Sequence, residues 1–339
     1  MAPARRTSLG VALRGMAIGR KSLRCRTRMP GQSWTGPLPE PTPEQRRLEG
    51  ELRDTVRMLA EEIGPRSVYR PDAMARTVAY LTAEARRTGA AVDVSAESIG
   101  GVACPNIEAT VPGSERPEEM IVVGAHYDTV ELRGEVGCAG ANDNGSGVAA
   151  TLALLRRWMG SAERPARTVR FVFFANEEPP FFWTERMGSL VYARRCKVRG
   201  DRVVAMLTPE TIGCYSDEAG TQLFPPGLAR FYPSRGNFIA FVGLSGSCDL
   251  VTRCVGTWRE RVAFPCEGAA VPSVIPMAGA SDHWSFDTCG YPALMVTDTA
   301  PFRYRHYHTV HDTPEKLDYP RMARVVDGLD VVLRALAAG

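Results

Sequence analysis

Residues 121–147 read IVVGAHYDTVELRGEVGCAGANDNGSG. The apolar run 121–123 leads to His126 and Asp128. A long turn follows, then Asn142, Asp143 and Asn144 among Gly140, Gly145 and Gly147, and small residues over 146–158 predict a helix. This pattern is a strand that delivers an imidazole and a carboxylate at its carboxyl end, where open α/β sheets bind ligands. The His-x-Asp spacing puts both side chains on one side of an extended segment. A ligating histidine commonly gives its second ring N–H to a carboxylate or carbonyl, which fixes its tautomer. The glycines around Asp143 indicate backbone angles that other residues avoid. A His and an Asp at a strand end are ordinary surface residues unless the chain supplies them with company.

Working outward, Thr42-Pro43-Glu44-Gln45 reads as a capping box with Pro at the first helical position. Leu48, Leu52, Val56 and Leu59 then form an apolar stripe, stopped by Gly64-Pro65. A second helix is expected from Pro71 to Gly89, with Met74, Val78 and Leu81 on its inner face. Strands are expected over 91–94, 107–111, 120–124, 168–175, 203–207, 238–242 and 293–296. Helices are expected over 186–195, 248–262, 281–289 and 321–338. Strands alternating with helices predict an α/β sheet covered on both faces. With no internal repeat and no linker after residue 40, the reading is a basic, disordered segment over 1–33 and a single domain over 34–339.

The composition is that of a globular protein, 44% hydrophobic and 23% charged. The net charge of +3 conceals an asymmetry, since residues 1–36 hold eight Lys and Arg and no acid. The remainder has 33 bases against 38 acids, so the basic balance is no argument for nucleic-acid binding. Nine cysteines without a C-x-x-C pair suit reduced thiols in a cytoplasmic protein rather than a disulfide framework. Arg14 and Arg20 interrupt any apolar signal core, which argues against secretion. No run reaches the length of a membrane span.

Three further segments carry chemistry. Glu177-Glu178 follows the apolar run TVRFVFFA, and successive strand side chains point opposite ways, so one acid can hold a metal while its neighbour handles protons. Glu210 stands after the run 203–207, just before Ile212-Gly213. The stretch HYHTVHDTPEKLDY holds His306, His308 and His311, three of the five histidines, the others being His126 and His283. Two imidazoles with three carboxylates suit two borderline divalent cations, provided one carboxylate bridges them. A carboxylate outside the ligand set is then free to move a proton.

In this order, HYDT, GANDNGSG, NEEPPFF, ETIG, SDHWSF and YHTVHDTPEKLDY resemble the family-28 zinc metallopeptidases, the co-catalytic aminopeptidases, over residues 34–339. The resemblance implies a zinc-exopeptidase (phosphorylase/hydrolase-like) α/β fold with a mixed central sheet flanked by helices. It implies two Zn2+ per chain, with Mn2+ or Co2+ as substitutes. His126 and Glu210 would hold one ion, Glu178 and His308 the other, with Asp143 as the bridge. Asp128 would steady His126, and Glu177 would act as general base toward a water held between the metals. A cis peptide would follow Asp143. Pro209 departs from the family pattern and bears on how Glu210 is aimed, and Asp282 and His283 are candidates for the substrate pocket. The implied function is removal of amino-terminal residues from peptides or amino-acid amides by a monomer. The alternatives are a single-zinc glutaminyl cyclase-like enzyme, and a non-catalytic binding protein on a peptidase fold. Phe181, Phe182, Trp183 and Trp284 hint at an aromatic-walled pocket.

Overall fold

The structure is a computed structural model that describes residues 27–132, 137–225 and 227–338. Most of the basic segment expected to be disordered, residues 1–26, lies outside the described residues. Residues 29–33 are packed rather than free. Arg259 donates to the carbonyls of Met29, Pro30 and Gly31, and Ser33 Oγ accepts the N–H of Cys266 at 2.9 Å.

Helix α1 (Pro43–Arg57) begins at the expected capping box, with Thr42 and Gln45 bonding reciprocally. It runs on as a wider π-helical turn over Met58–Ile63. Leu48, Leu52, Val56 and Leu59 are all buried, as their spacing predicts. Helix α2 (Pro71–Arg87) follows, then strands β1 (Ala91–Val94), β2 (Ser98–Ile99), β3 (Val102–Ala103), β4 (Ile107–Val111) and β5 (Arg116–His126). The turn Ala141–Ser146 leads into α3 (Gly147–Met159), β6 (Arg167–Phe174), α4 (Gly188–Arg199) and β7 (Arg202–Glu210). The last third holds β8 (Ile239–Leu244), α5 (Cys248–Arg261), β9 (Cys266–Val271), α6 (His283–Thr288), β10 (Ala293–Thr297), α7 (Ala300–Arg303) and α8 (Tyr319–Ala338).

Eight strands form one mixed sheet in the order β1-β4-β6-β5-β7-β10-β8-β9, while β2 and β3 make a separate hairpin. The central β6, β5, β7 and β10 run parallel, and β1, β4 and β8 join antiparallel to their inner neighbours. Side chains of the central strands alternate between two cores. Ile121, Val123, Phe171, Phe173 and Leu207 pack under α1, α3, α5 and α8. Val122, Val172, Phe174 and Met206 meet Tyr192 of α4 and Phe286 of α6 on the opposite face. The expected covering of both faces is what the residues build.

Some boundaries differ from the sequence reading. Strand β5 starts at Arg116, four residues before the expected 120, because its first residues include the exposed Pro117 and Glu118 and carry no apolar signal. Helix α4 starts at Gly188 and ends at Arg199, displaced from the expected 186–195. Strand β9, CEGAAV, escaped the reading because Gly and Ala carry little strand signal. The four central strands end at one edge of the sheet, and the chemistry-bearing residues gather there.

Candidate metal centre

His126 is the last residue of β5 and lies beside Phe174, the last of β6. Glu177 and Glu178 therefore emerge next to it, and Glu210 ends β7 opposite Thr297 of β10. Asp143 comes from the turn before α3, and His308 from the loop before α8. These six side chains converge.

His126 Nε2 lies 3.4 Å from Asp143 Oδ1 and 3.3 Å from Glu210 Oε2. His308 Nε2 lies 3.0 Å from Asp143 Oδ2 and 3.3 Å from Glu178 Oε1. The donor atoms of each trio lie within 4.8 Å of one another. Asp143 thus faces both imidazoles, one oxygen to each, which is the geometry of a bridging ligand. Despite their closeness, His126 Nε2, His308 Nε2 and Glu178 Oε1 make no hydrogen bond, though all three atoms are buried. Buried polar atoms without partners are rare. Oxygen and imidazole donors aimed at common points fit two divalent cations.

Glu177 belongs to neither trio, and its Oε2 stands 3.8 Å from His126 Nε2. Burial holds its carboxyl well above the usual range; Glu178 and Glu210 push the same way, against His126. Glu178 is raised to about 7 by burial and by Asp143. For Asp143 burial works upward, but the two imidazoles hold it below the ordinary carboxylate range. For His308 burial works downward, but Asp143 and Glu178 raise the ring to about 10. His126 is likewise raised against its burial, by Glu210, Glu177, Asp128 and Asp143.

A second layer of groups aims the first. The carboxylate of Asp128 accepts the backbone N–H groups of Glu177 and Glu178, each at 3.0 Å. It touches His126 less directly than expected, since Nδ1 lies 3.2 Å from the Asp128 carbonyl and 3.5 Å from its carboxylate. A ring N–H given to that carbonyl leaves the Nε2 lone pair facing Asp143, free to ligate a cation. Asp312 accepts the N–H groups of Asn142 and Asp143, and Tyr304 donates to it. Asn144 Nδ2 and Ser281 Oγ donate to Glu210 Oε2 at 3.0 and 2.8 Å. Pro209 leaves this aim intact, because its carbonyl accepts from Asn144. The Asp143–Asn144 peptide is cis, as the resemblance implies. Gly140 has a φ of +61° and no room for a Cβ, which would meet Thr129 and the Asp143 carbonyl. Arg66, Ser281, Asp298, Tyr304 and Asp312 escaped the sequence reading, since nothing in spacing marks a polar residue as buried.

His306 and His311 stay outside both trios. Asp282 and His283 are wholly buried. His283 Nε2 meets the Ala278 carbonyl at 2.8 Å, and neither Asp282 oxygen has a hydrogen-bond partner. Neither residue lines the apolar cavity beside the cluster. That cavity, about 100 Å³, is lined by Glu210 and Tyr307 together with the apolar Ala240, Val242, Ala269 and Met295. Phe181, Phe182, Trp183 and Trp284 are no part of its wall. Trp183 instead stacks on Phe182 and donates to the Gly279 carbonyl. The Tyr307 ring lies flat on His308, 3.9 Å between centroids.

Comparison with known proteins follows the same lines. A family model described as Peptidase family M28 matches residues 106–332. An uncharacterized protein of Escherichia coli, YfbL, is 35% identical over 306 residues, covering 89% of this chain and 92% of that protein. A probable leucine aminopeptidase of Trichophyton verrucosum is 31% identical over 226 residues, 64% of this chain and 53% of that protein. The chain thus spans about half the length of the curated leucine aminopeptidases it matches. Among solved structures, the zinc aminopeptidase BSAP of Bacillus subtilis superposes with a TM-score of 0.67 at 14% identity, over 86% of this chain and 95% of that one. A glutaminyl cyclase of Bacteroides thetaiotaomicron gives a TM-score of 0.63 at 15% identity, over 88% of this chain and 99% of that one. Likenesses at these identities speak to the fold. Among the described residues no helix is long and apolar enough to cross a membrane.

Proposed function

Because the chain belongs to peptidase family M28, we propose that it is a two-zinc aminopeptidase releasing apolar residues from the amino terminus of peptides. The observation that carries this reading is Asp143, whose two oxygens face His126 and His308 separately. His126, Asp143 and Glu210 would hold one ion, and Asp143, Glu178 and His308 the other. Bound there, zinc supplies a Lewis acid for the scissile carbonyl and lowers the pKa of water.

The protein's own groups do the rest. Glu177, raised by burial and neighbouring acids, accepts the proton of the attacking water and passes it to the departing amine. Asp128 keeps Glu177 beside Glu178 through the two backbone N–H groups it accepts. The surrounding carboxylates favour a cationic α-amino group at the peptide's end. The apolar cavity that Glu210 shares with Tyr307 takes the first side chain in this reading, and its lining supports leucine, methionine or phenylalanine there. Cys104, Cys138 and Cys254 are buried thiols, in keeping with a cytoplasmic setting.

The test is zinc content of the purified protein together with hydrolysis of leucine p-nitroanilide before and after chelation. Two zincs per chain, with activity lost on chelation and restored by zinc, is the expected result. One zinc, no hydrolysis and ring closure of a glutaminyl peptide would favour the cyclase reading instead. Against the cyclase stands the assembled trio of His126, Asp143 and Glu210. Against a non-catalytic binding role stands Glu177, kept beside both trios.

A further inference from the structure

Arg66 is wholly buried, yet no carboxylate pairs with it among the described residues. Its guanidinium spends its donors on five backbone carbonyls. Nε donates to Tyr127 at 2.9 Å, and Nη2 to Gly140 at 3.1 Å. Nη1 is shared by Leu59, Gly64 and Ala139 at 2.8–2.9 Å. The Arg66 backbone is tied as well, its N–H to Thr129 Oγ1 at 2.9 Å and its carbonyl to the Thr129 N–H at 2.8 Å. Burying a cation with no directly paired carboxylate is costly, and burial lowers the pKa of the Arg66 guanidinium against the pull of Asp128, Asp312 and Asp143.

The carbonyls it grips lie in a meaningful order. Tyr127 stands between His126 and Asp128. Ala139 and Gly140 lead into the turn that carries Asp143, and Leu59 and Gly64 belong to the end of the first helical segment. One planar fork therefore joins the strand end bearing His126 to the turn bearing Asp143, with the helix end as anchor. The other half of the cluster is held differently, Glu178 through Asp128 and the Asp143 backbone through Asp312.

We propose that Arg66 is a positioning residue for one cation position, the one formed by His126, Asp143 and Glu210, and sets the separation of its first two donors. The inference rests on the two-cation reading above. Only arginine suits the task. A lysine ammonium has three donors on a single atom and cannot span five carbonyls arranged around a planar fork. Loss of groups that orient metal ligands typically lowers affinity 10–100-fold. Here that loss should fall harder on the step that His126 and Glu210 serve, since the other step shares only Asp143 with it.

The experiment is calorimetric titration of the chelator-stripped full-length chain with zinc alone, for wild type and Arg66→Lys. Glu210→Gln and Glu178→Gln identify which step belongs to which trio. The expected result is two steps in wild type and, in Arg66→Lys, about 10–100-fold weakening of the step that Glu210→Gln also weakens. The step marked by Glu178→Gln, which shares only Asp143 with the first, should weaken by a clearly smaller factor, below the roughly 10–100-fold that loss of an orienting group typically costs. Equal weakening of both steps, or of neither, overturns the proposal. A wild type that binds a single zinc defeats the two-cation reading first, and this assignment with it. Thr129→Ala loosens the same junction more gently and should weaken the same step by a smaller factor. If neither variant folds, as judged by circular dichroism, Arg66 serves the fold alone and the proposal fails.

Discussion

Asp312 Oδ2 accepts the backbone N–H of Asp143 at 3.0 Å. The loop that presents His308 is thereby fastened to the turn that presents the shared carboxylate, four residues after the imidazole itself. In Asp312→Asn one carboxamide cannot accept both the Asn142 and Asp143 N–H groups through equivalent oxygens. Zinc affinity should fall about 10–100-fold, with the fold retained by circular dichroism. Unchanged binding in a calorimetric titration would mean that the fastening is idle.

Glu177→Gln keeps the size and the Asp128 contact, which is made by backbone, but removes the base. Turnover of leucine p-nitroanilide should drop about 10²–10⁴-fold, while zinc content stays near that of wild type. A variant that turns over normally would assign the proton transfer to another group.

Asp143→Asn and Glu210→Gln should separate a shared ligand from a private one. The first weakens both cation positions, because both imidazoles face that carboxylate. The second weakens the position at His126 alone. Inductively coupled plasma analysis after dialysis should find less zinc in the first variant than in the second. The opposite ranking would remove the bridging role from Asp143.

Across the sheet, Glu210 is paired in register with Thr297, Thr297 with Ala240, and Ala240 with Glu267. With about 4.8 Å between neighbouring strands, Ala240 lies roughly 10 Å from the Glu210 position across the sheet, and both line the apolar cavity. Ala240→Phe should fill much of it. Hydrolysis of leucine and phenylalanine p-nitroanilides should fall at least about tenfold in kcat/KM while the alanine substrate changes little, the scale of a few methylenes in an apolar pocket. A uniform loss across all three would move the side-chain pocket elsewhere.

His283 is wholly buried, and desolvation lowers its imidazole from 6.5 to about 4, the Ala278 carbonyl opposing weakly. The unfolded chain binds the proton more readily, so this group's stabilising contribution is complete above pH 6.5 and is lost as pH falls toward 4. The gap corresponds to about 3 kcal/mol at most. Urea unfolding at about pH 7 and about pH 4.5 should show a larger acid loss for wild type than for His283→Gln, by roughly 2 kcal/mol. Equal losses would show that the ring is reached by water.

Much of this arrangement was legible because apolar strands end abruptly in polar residues. IVVGA before His126 and TVRFVFFA before Glu177-Glu178 leave little doubt about direction, and parallel strands then bring their ends together. The choice of His308 over His306 and His311 came from the motif, and no periodicity could have made it. The apolar cavity beside Glu210 was not legible, because part of its lining comes from β8 and β9, where IAFVGL and CEGAAV offer small residues in place of a recognisable signal. The aromatics after Glu178 draw attention instead, yet Phe181 stacks on Tyr69, and Phe182 on Trp183. Arg66 sits in Gly64-Pro65-Arg66-Ser67, which reads as a polar turn, and burial of a guanidinium is a property of the assembled fold alone.

The strap formed by residues 29–33 lies along β9, the last strand of the sheet, with Ser33 on the Cys266 N–H and Met29 close to Gly268. Uncovered edge strands are templates on which another chain can add itself, and proteins commonly mask them. The opposite edge, β1, is four residues long with the charged Asp93 within it, so it offers a poor template. The strap gives the Cys266 N–H of that edge a partner within its own chain, and a chain trimmed to begin at Trp34 should keep its metal-site residues while showing more self-association by light scattering.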